Sequence, residues 1–172
     1  MEPIWKKHWP ETVDERSIHL PEDPLPVILA RQAARVPDRV AIHFYGRAVT
    51  FEELDCAVGR FAGFLRARGF SPGDRVAIFL ENSPQFAIAY YGTLRAGGVA
   101  VCLNPMHKAV ELLHELGDSE ARVLVTSNEA YGVVEPIAAR TKLETVVLTD
   151  YRDFLPENPT LPPPPAFLQT SG

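Results

Sequence analysis

The sequence predicts an α/β fold with a mainly parallel sheet flanked by helices. Its central stretch, from Gly73 to Pro105, contains two short apolar runs, at residues 76–80 and 99–103, on either side of a segment with helical spacing. In a strand, successive side chains point to opposite faces of the sheet. Runs in which every residue is apolar are therefore typical of strands covered on both faces. A β-α-β unit of this size joins parallel neighbours through a right-handed crossover.

The helix inside this unit has clear start and stop signals. Asn82 or Ser83 can cap its first turn. Pro84 suits the first helical position because an N–H group there would have no intrahelical partner. Gly97 and Gly98 end the helix because glycine adopts positive φ readily. The second strand therefore follows directly after the glycine pair.

The segments on either side complete an alternating pattern of helices and strands. Thr50 and Glu53 form a capping box at the start of a long helix, since each side chain can bond the other's backbone N–H. Gly46 begins a tight turn, and Gly69 and Gly117 are expected to end helices. The order α-β-β-α-β-α-β-α-β-α-β predicts one α/β domain. The flanking elements are helices at 26–35, 51–68, 108–116 and 128–139 and strands at 39–45, 48–49, 121–126 and 144–149.

Composition divides the chain into four parts. Trp5 and Trp9 lie among basic residues near the start, and three interpretations stay open: packing on the domain, a homodimer contact, and contact with a membrane surface. The consecutive prolines after the domain favour an extended conformation. A strand that begins so near the last residue indicates a truncated polypeptide. The parts are an N-terminal arm at 1–23, an α/β subdomain at 24–150, a proline-rich linker at 151–165 and a strand-like end at 166–172.

The overall composition is that of a cytoplasmic globular protein. Hydrophobic residues make up 46% of the 172, which is enough for a core, and the net charge of −5 argues against a general nucleic-acid binder. No run of about 18 apolar residues predicts a transmembrane helix, and no secretory signal is recognisable. Cys56 and Cys102 are expected to be reduced core residues, with a disulfide between them as the alternative.

No complete active site can be assembled from these residues, and no catalytic residue is assigned. Neither a G-x-G-x-x-G nor a G-x-x-x-x-G-K-[ST] loop occurs. His107, Glu111 and His114 share a predicted helix face, but the two histidines would lie about 10 Å apart along the axis. Zinc requires ligand atoms about 2 Å from the metal, so no metal site is predicted.

The remaining candidate for chemistry is formed by the last three residues, Thr170, Ser171 and Gly172. A predicted strand at 166–170 leads into them, which is how many phosphate-binding loops begin. Hydroxyl groups and glycine N–H groups can surround phosphate oxygens. The alternative interpretation is that these three residues are only the end of the chain and have no function of their own.

Several segments together match the motifs of one enzyme family. They are 49–54 (first core motif, Leu-Thr-Tyr-x-Glu-Leu), 94–105 (second motif, Leu-Lys-Ala-Gly and a later Pro), 73–78 with 81–84 between them, and 166–172, which is similar to the run into the phosphate loop. With these segments the chain resembles the adenylate-forming acyl-CoA synthetases of the AMP-dependent synthetase and ligase superfamily. The resemblance covers residues 24–172 in the correct order. Trp5 to Pro10 additionally resembles the leader of long- or medium-chain fatty-acid–CoA ligases.

The resemblance implies the N-terminal subdomain of the acyl-CoA synthetase or luciferase-like fold. It implies a parent enzyme that couples a fatty acid to ATP and then to CoA, with Mg²⁺ assisting. By match to the third motif, Thr170, Ser171 and Gly172 would contact ATP phosphates. Because the loop lysine and all later motifs are missing, the 172-residue chain is expected to be inactive and to bind none of these cofactors tightly.

Two alternatives remain at this point. The parent could be an aryl-CoA ligase or a carrier-protein adenylation domain, because residues that form the acyl pocket in the family lie further along. The chain could also be a non-catalytic α/β interaction module. Only the tryptophan-bearing leader favours a fatty-acid substrate over the other acids.

Overall fold

The computed structural model describes residues 22–168 together with His8 and Pro10. The predicted order of helices and strands is confirmed from residue 25 to residue 149. Two short 3₁₀ helices follow the last strand, at Tyr151–Phe154 and Pro165–Leu168. The elements are α1 (Leu25–Arg35), β1 (Val40–Phe44), β2 (Arg47–Thr50), α2 (Phe51–Ala67), β3 (Arg75–Phe79), α3 (Pro84–Arg95), β4 (Val99–Cys102), α4 (Ala109–Ser119), β5 (Val123–Ser127), α5 (Asn128–Ala138) and β6 (Thr145–Thr149).

Four of the strands form a parallel sheet in the order β4-β3-β5-β6. Strand β3 is central, and alternate side chains enter the two cores: Val76 and Ile78 pack on one face, Ala77 and Phe79 on the other. All four are at most 1% exposed. The predicted fold class, a mainly parallel sheet flanked by helices, is therefore confirmed.

Helices cover both faces of this sheet. Residues of α2 and α3 pack in one cluster with β3 and β5, while residues of α4 and α5 pack in the cluster on the opposite face. A third cluster, around Leu29 of α1 and Val49 of β2, joins α1 and the hairpin to α2 and α3. The sheet is buried because each face has its own helical layer.

The hairpin β1–β2 stands apart as a two-stranded antiparallel sheet. Its turn centres on Tyr45 and Gly46, one residue earlier than the predicted Gly46-Arg47. Tyr45 and Gly46 have positive φ angles of 49° and 103°. Two positive φ values are the requirement of the tight hairpin turn that follows the natural twist of the strands, which explains the glycine at the second position.

The predicted helix caps are present. The Thr50 hydroxyl accepts from the Glu53 N–H at 3.1 Å, and the Glu53 carboxylate accepts from the Thr50 N–H at 2.9 Å. Ser83 accepts from the Phe86 N–H at 3.2 Å at the start of α3. Gly97, with φ 89°, follows the end of that helix as expected.

Besides the shift of the hairpin turn, three predictions about helix and strand positions are wrong in detail. Gly117 lies inside α4, which continues to Ser119 and ends at Glu120 in the left-handed conformation. The strand expected at 166–170 is a 3₁₀ helix as far as residue 168, and the rest of it falls outside the described residues. His107 precedes α4 and bonds Glu115, with Nδ1 and Oε2 3.0 Å apart, so it does not share a helix face with His114.

The two cysteines are not core residues. Both are free and exposed. Cys56 lies on the outer face of α2, and Cys102 lies on β4 at the edge of the sheet. The apolar neighbours that suggested burial face inward from the same elements. Within the described residues, no helix is long and apolar enough to cross a membrane.

Candidate functional site

The loops after β3 and β5 leave the sheet toward opposite faces. Strand β3 continues into α3, which packs on the α2 side, and β5 continues into α5, which packs on the α4 side. The two strands are neighbours in the sheet. In open parallel sheets, a crevice forms at the carboxyl ends of two strands where the connections diverge, and ligands bind there.

A cavity of about 540 Å³ occupies this position. We call it the switch-point cavity. It is bounded by the ends of β3 and β5, the hairpin turn, and the last described part of the chain. Its lining residues are Tyr45, Phe79, Glu81, Asn82, Pro105, Ser127, Glu129, Ala130, Tyr151, Pro164 and Phe167.

Tyr151 and Phe167 form the inner wall of this cavity. Both are nearly buried, and their rings stack with centroids 4.1 Å apart. The Tyr151 hydroxyl accepts from the Glu81 N–H at 2.7 Å and so holds the loop after β3. Burial raises the pKa of Tyr151, so the phenol stays protonated near neutral pH. Phe167 also meets Tyr45 edge to face at 6.0 Å.

The polar part of the wall is acidic. Glu129 lies in the first turn of α5, where the helix N-terminus favours negative charge. Both of its carboxylate oxygens are buried and have no hydrogen-bond partner among the described residues. Glu81 adds a second carboxylate, and none of the described lining residues is a lysine, arginine or histidine. The cavity therefore disfavours phosphate groups and suits neutral or donor-bearing parts of a ligand.

The predicted phosphate-contacting residues, Thr170, Ser171 and Gly172, lie outside the described part of the chain. Phe167, in the cavity wall, precedes Thr170 by three residues. Among the described residues, no cluster of three or more His, Cys, Asp or Glu side chains could hold a metal ion.

Sequence reasoning missed the residues of the cavity itself. Glu81 and Glu129 each lie two residues after the end of an apolar strand, and the position of ligand sites at the carboxyl edge of parallel sheets could have identified them. Tyr45 and Tyr151 carry no such signal, because they reach the cavity from the hairpin and from the segment after β6.

The profile of one family, AMP-binding enzyme, matches residues 29–166. The chain belongs to this family. The first two motifs noted in the sequence have structural roles in this member of the AMP-binding family, because one forms the cap of α2 and the other the turn between α3 and β4.

Similar proteins are acyl-CoA ligases. A long-chain-fatty-acid–CoA ligase of Bacillus subtilis is 35% identical over 152 residues, which is 88% of this chain and 27% of that protein. A 3-hydroxybenzoate–CoA/4-hydroxybenzoate–CoA ligase of Thauera aromatica is 40% identical over 92 residues, 54% of this chain and 18% of that protein. The solved long-chain-fatty-acid–CoA ligase of Archaeoglobus fulgidus has a TM-score of 0.71 at 25% identity, covering 77% of this chain and 28% of that one. The chain thus spans little more than a quarter of the Bacillus relative.

Proposed function

We propose that this chain is the N-terminal part of an ATP-dependent fatty-acid–CoA ligase. The observation that carries the proposal is the 35% identity to the Bacillus long-chain-fatty-acid–CoA ligase over 88% of this chain. The hydroxybenzoate ligase matches a shorter stretch, 54% of the chain, so it supports an aryl substrate less well. The fold gives no independent support to a carrier-protein substrate or to a purely non-catalytic module.

The proposed reaction of the parent has two steps. A carboxylate oxygen of the fatty acid attacks the α-phosphorus of ATP, and pyrophosphate leaves to give the acyl-adenylate. The thiolate of CoA then attacks the acyl carbonyl, and AMP leaves to give the thioester. Mg²⁺ would neutralise phosphate charge in the first step. The described residues offer no cluster for Mg²⁺, so we assign none of them as its ligand.

Charge separates the proposed site into two parts. The described lining of the switch-point cavity offers phosphate oxygens no cationic side chain, and its acidic side chains, Glu81 and Glu129, are poor partners for an anion. We therefore assign the ATP phosphates to Thr170, Ser171 and Gly172, whose hydroxyl and N–H groups are suitable donors. The cavity beside them is left for an uncharged part of a substrate or for another segment of the parent.

The test is fatty-acid-dependent ATP–pyrophosphate exchange. We expect exchange by the full-length parent with long-chain fatty acids and much less with hydroxybenzoates or amino acids. Thr170→Ala and Ser171→Ala in the parent should reduce exchange at least tenfold. Thr141→Ala, which lies outside the predicted phosphate loop, serves as the control. The 172-residue chain alone should show none. A parent that prefers hydroxybenzoate would overturn the substrate assignment, and exchange by the chain alone would contradict the fragment proposal.

The remaining assignments are also proposals. Free Cys56 and Cys102 are typical of a reducing compartment, which supports a cytoplasmic parent. Limited proteolysis can test the division at residues 23, 150 and 165, with early cleavage expected in the arm. A homodimer through the arm is tested by sedimentation, and contact of the arm with membranes by co-sedimentation with anionic vesicles.

A further inference from the structure

Tyr151 lies at the carboxyl edge of the sheet, two residues after the end of β6, and contacts two other segments of the chain there. Its hydroxyl accepts from the Glu81 N–H, in the loop after β3, at 2.7 Å. Its ring stacks on Phe167, in the last 3₁₀ helix, with the ring planes 25° apart. One side chain therefore connects the end of the central strand with the segment that leads toward the proposed phosphate loop.

The backbone around Tyr151 is fixed independently of these two contacts. The buried side chain of Gln85, at the start of α3, donates from Nε2 to the Asp150 carbonyl at 2.8 Å. The Asp150 carboxylate accepts from the Arg152 N–H at 2.8 Å and so caps the short helix that begins at Tyr151. Tyr151 is therefore a rigid support for the segments that it contacts.

The segment at 161–168 depends on one side chain for its position. Four of its residues, 162–165, are prolines, which have no N–H to donate. Among the described residues, no hydrogen bond joins this segment to the rest of the domain, since the Phe167 N–H donates within the segment to the Pro164 carbonyl. Of the side chains described in this segment, Phe167 alone is buried. It is held by the ring of Tyr151 at 4.1 Å and by the rings of Phe44 and Tyr45 at 6.2 and 6.0 Å.

This attachment is close, along the chain, to the proposed phosphate contacts. Thr170 follows Phe167 by three residues, so the two Cα atoms are at most about 11 Å apart whatever the conformation between them. A displacement of Phe167 therefore displaces the start of the loop. Such displacements matter, because a misplacement of ~1 Å can lower a reaction rate about a hundredfold.

We propose that Tyr151 is a positioning residue for ATP. Its stack on Phe167 fixes where the segment that leads into Thr170 leaves the domain, and its hydroxyl holds the loop after β3 at the same place. Tyr151 acts through Phe167 and does not itself contact ATP. The inference rests on the proposed ligase function and on the assignment of the ATP phosphates to residues 170–172. Tyr151 lies outside every motif noted in the sequence.

NMR spectra of the 172-residue chain test the two contacts. The ring protons of Tyr151 should be shifted upfield by the Phe167 ring, and Phe167→Leu should remove most of that shift. Tyr151→Phe identifies these signals and should speed amide exchange of Glu81 at least about threefold, the smaller effect expected for one hydrogen bond. Tyr131→Phe is the matched control, because Tyr131 packs in the cluster of α4 and α5. An unshifted Tyr151 ring, or unchanged exchange at Glu81, overturns the proposal.

Kinetics of the full-length parent test the consequence. ATP–pyrophosphate exchange is measured with varied ATP at saturating palmitate, and with varied palmitate at saturating ATP. Tyr151→Phe and Phe167→Leu should raise the KM for ATP at least threefold and leave the KM for palmitate unchanged. Phe167→Tyr, which keeps the ring, should retain the wild-type KM for ATP. A variant that is only partly folded contains less active enzyme, so its kcat falls while both KM values stay constant. Phe51→Leu, in the cluster around Leu29, provides that comparison.

The outcomes separate this inference from the proposed function. A wild-type parent without palmitate-dependent exchange would contradict the fatty-acid–CoA ligase function, and the role of Tyr151 with it. An active wild-type parent whose Tyr151→Phe variant keeps the KM for ATP would overturn the role of Tyr151 alone. An equal rise of that KM in Tyr131→Phe would do the same. If Phe167→Leu does not fold, Tyr151→Phe decides, because it keeps the ring and loses only the hydroxyl.

Discussion

At the scale of single residues, the second motif of the family has a steric explanation. Gly98 lies where the chain turns from α3 into β4, against the ring of Phe70. A Cβ atom there would approach the Asp74 carbonyl oxygen at 2.9 Å and come even closer to the Phe70 ring. Glycine at this position is therefore a requirement of packing, beyond the positive φ of Gly97 that ends the helix.

Gly98→Ala is expected to lower the free energy of unfolding by about 1–3 kcal/mol, because the added methyl group overpacks a site bounded partly by backbone. Gly63→Ala is the matched control. Nothing lies within 4 Å of a Cβ at Gly63, and alanine is favoured there inside α2, so stability should rise by up to about 1 kcal/mol. Urea denaturation of both variants measures the difference. Equal changes would show that backbone entropy rather than packing decides at Gly98.

At the scale of elements, the sequence predicted the five α-helices and six strands between residues 25 and 149, but neither the two 3₁₀ helices that follow nor the arrangement of the strands. Caps such as Thr50 with Glu53, and breaks such as Gly97, are local signals, so helix boundaries could be predicted. The order of strands is decided by packing over long separations. An apolar run does not reveal whether its strand is central, like β3, or at an edge, like β4, where Val99 is 47% exposed. The exposed Cys102 follows from that edge position.

The starts of three strands are joined by one arginine. Arg122, just before β5, pairs with Asp74 before β3 at 2.6 Å and with Glu144 before β6 at 2.7 Å. The hydrogen bond from Arg122 lowers the pKa of Glu144 below its ordinary 4.5. The contact is exposed, so its contribution is reduced by solvent screening. It nevertheless ties together segments whose relative order the local sequence does not specify.

This pairing predicts a small acid-dependent loss of stability. Because the pKa of folded Glu144 is depressed, its contribution is present above the unfolded value near 4.5 and is lost as pH falls through the lower folded value. Glu144→Gln should therefore be less stable than wild type at pH 7, and the difference should shrink on acidification below 4.5. Urea denaturation from pH 7 to pH 3 measures it. Glu135→Gln, on an exposed helix position, should show a smaller and flatter difference.

At the scale of the whole molecule, the switch-point cavity is assembled from distant parts of the chain. The parallel sheet and its carboxyl edge could be predicted from the strand pattern, and with them the positions of Glu81 and Glu129. Tyr45 and Phe167 join the site only through tertiary packing, since the hairpin and the segment after β6 fold against the same edge. No periodicity in either segment indicates this.

The segment after β6 is therefore expected to stabilise the domain rather than merely follow it. Phe167 is 6% exposed and covers the ring of Tyr151, which in turn holds the Glu81 N–H. Phe167→Ala should lower the free energy of unfolding by about 3 kcal/mol, as for other large core deletions. Removing the ring also lets water reach the phenol, so the raised pKa of Tyr151 should fall toward its ordinary value of 10.0.

Ultraviolet difference titration measures this pKa, and Tyr151→Phe identifies its signal among the five tyrosines. Phe51→Ala is the control, because Phe51 packs in the cluster around Leu29 and Val49 and not in the cluster that contains Tyr151. If Phe167→Ala leaves the pKa of Tyr151 unchanged, then α3 and the sheet exclude water from the phenol, and the segment after β6 does not. The cavity wall would then be complete without the segment that leads into Thr170, and the proposed link between cavity and phosphate loop would lose its structural basis.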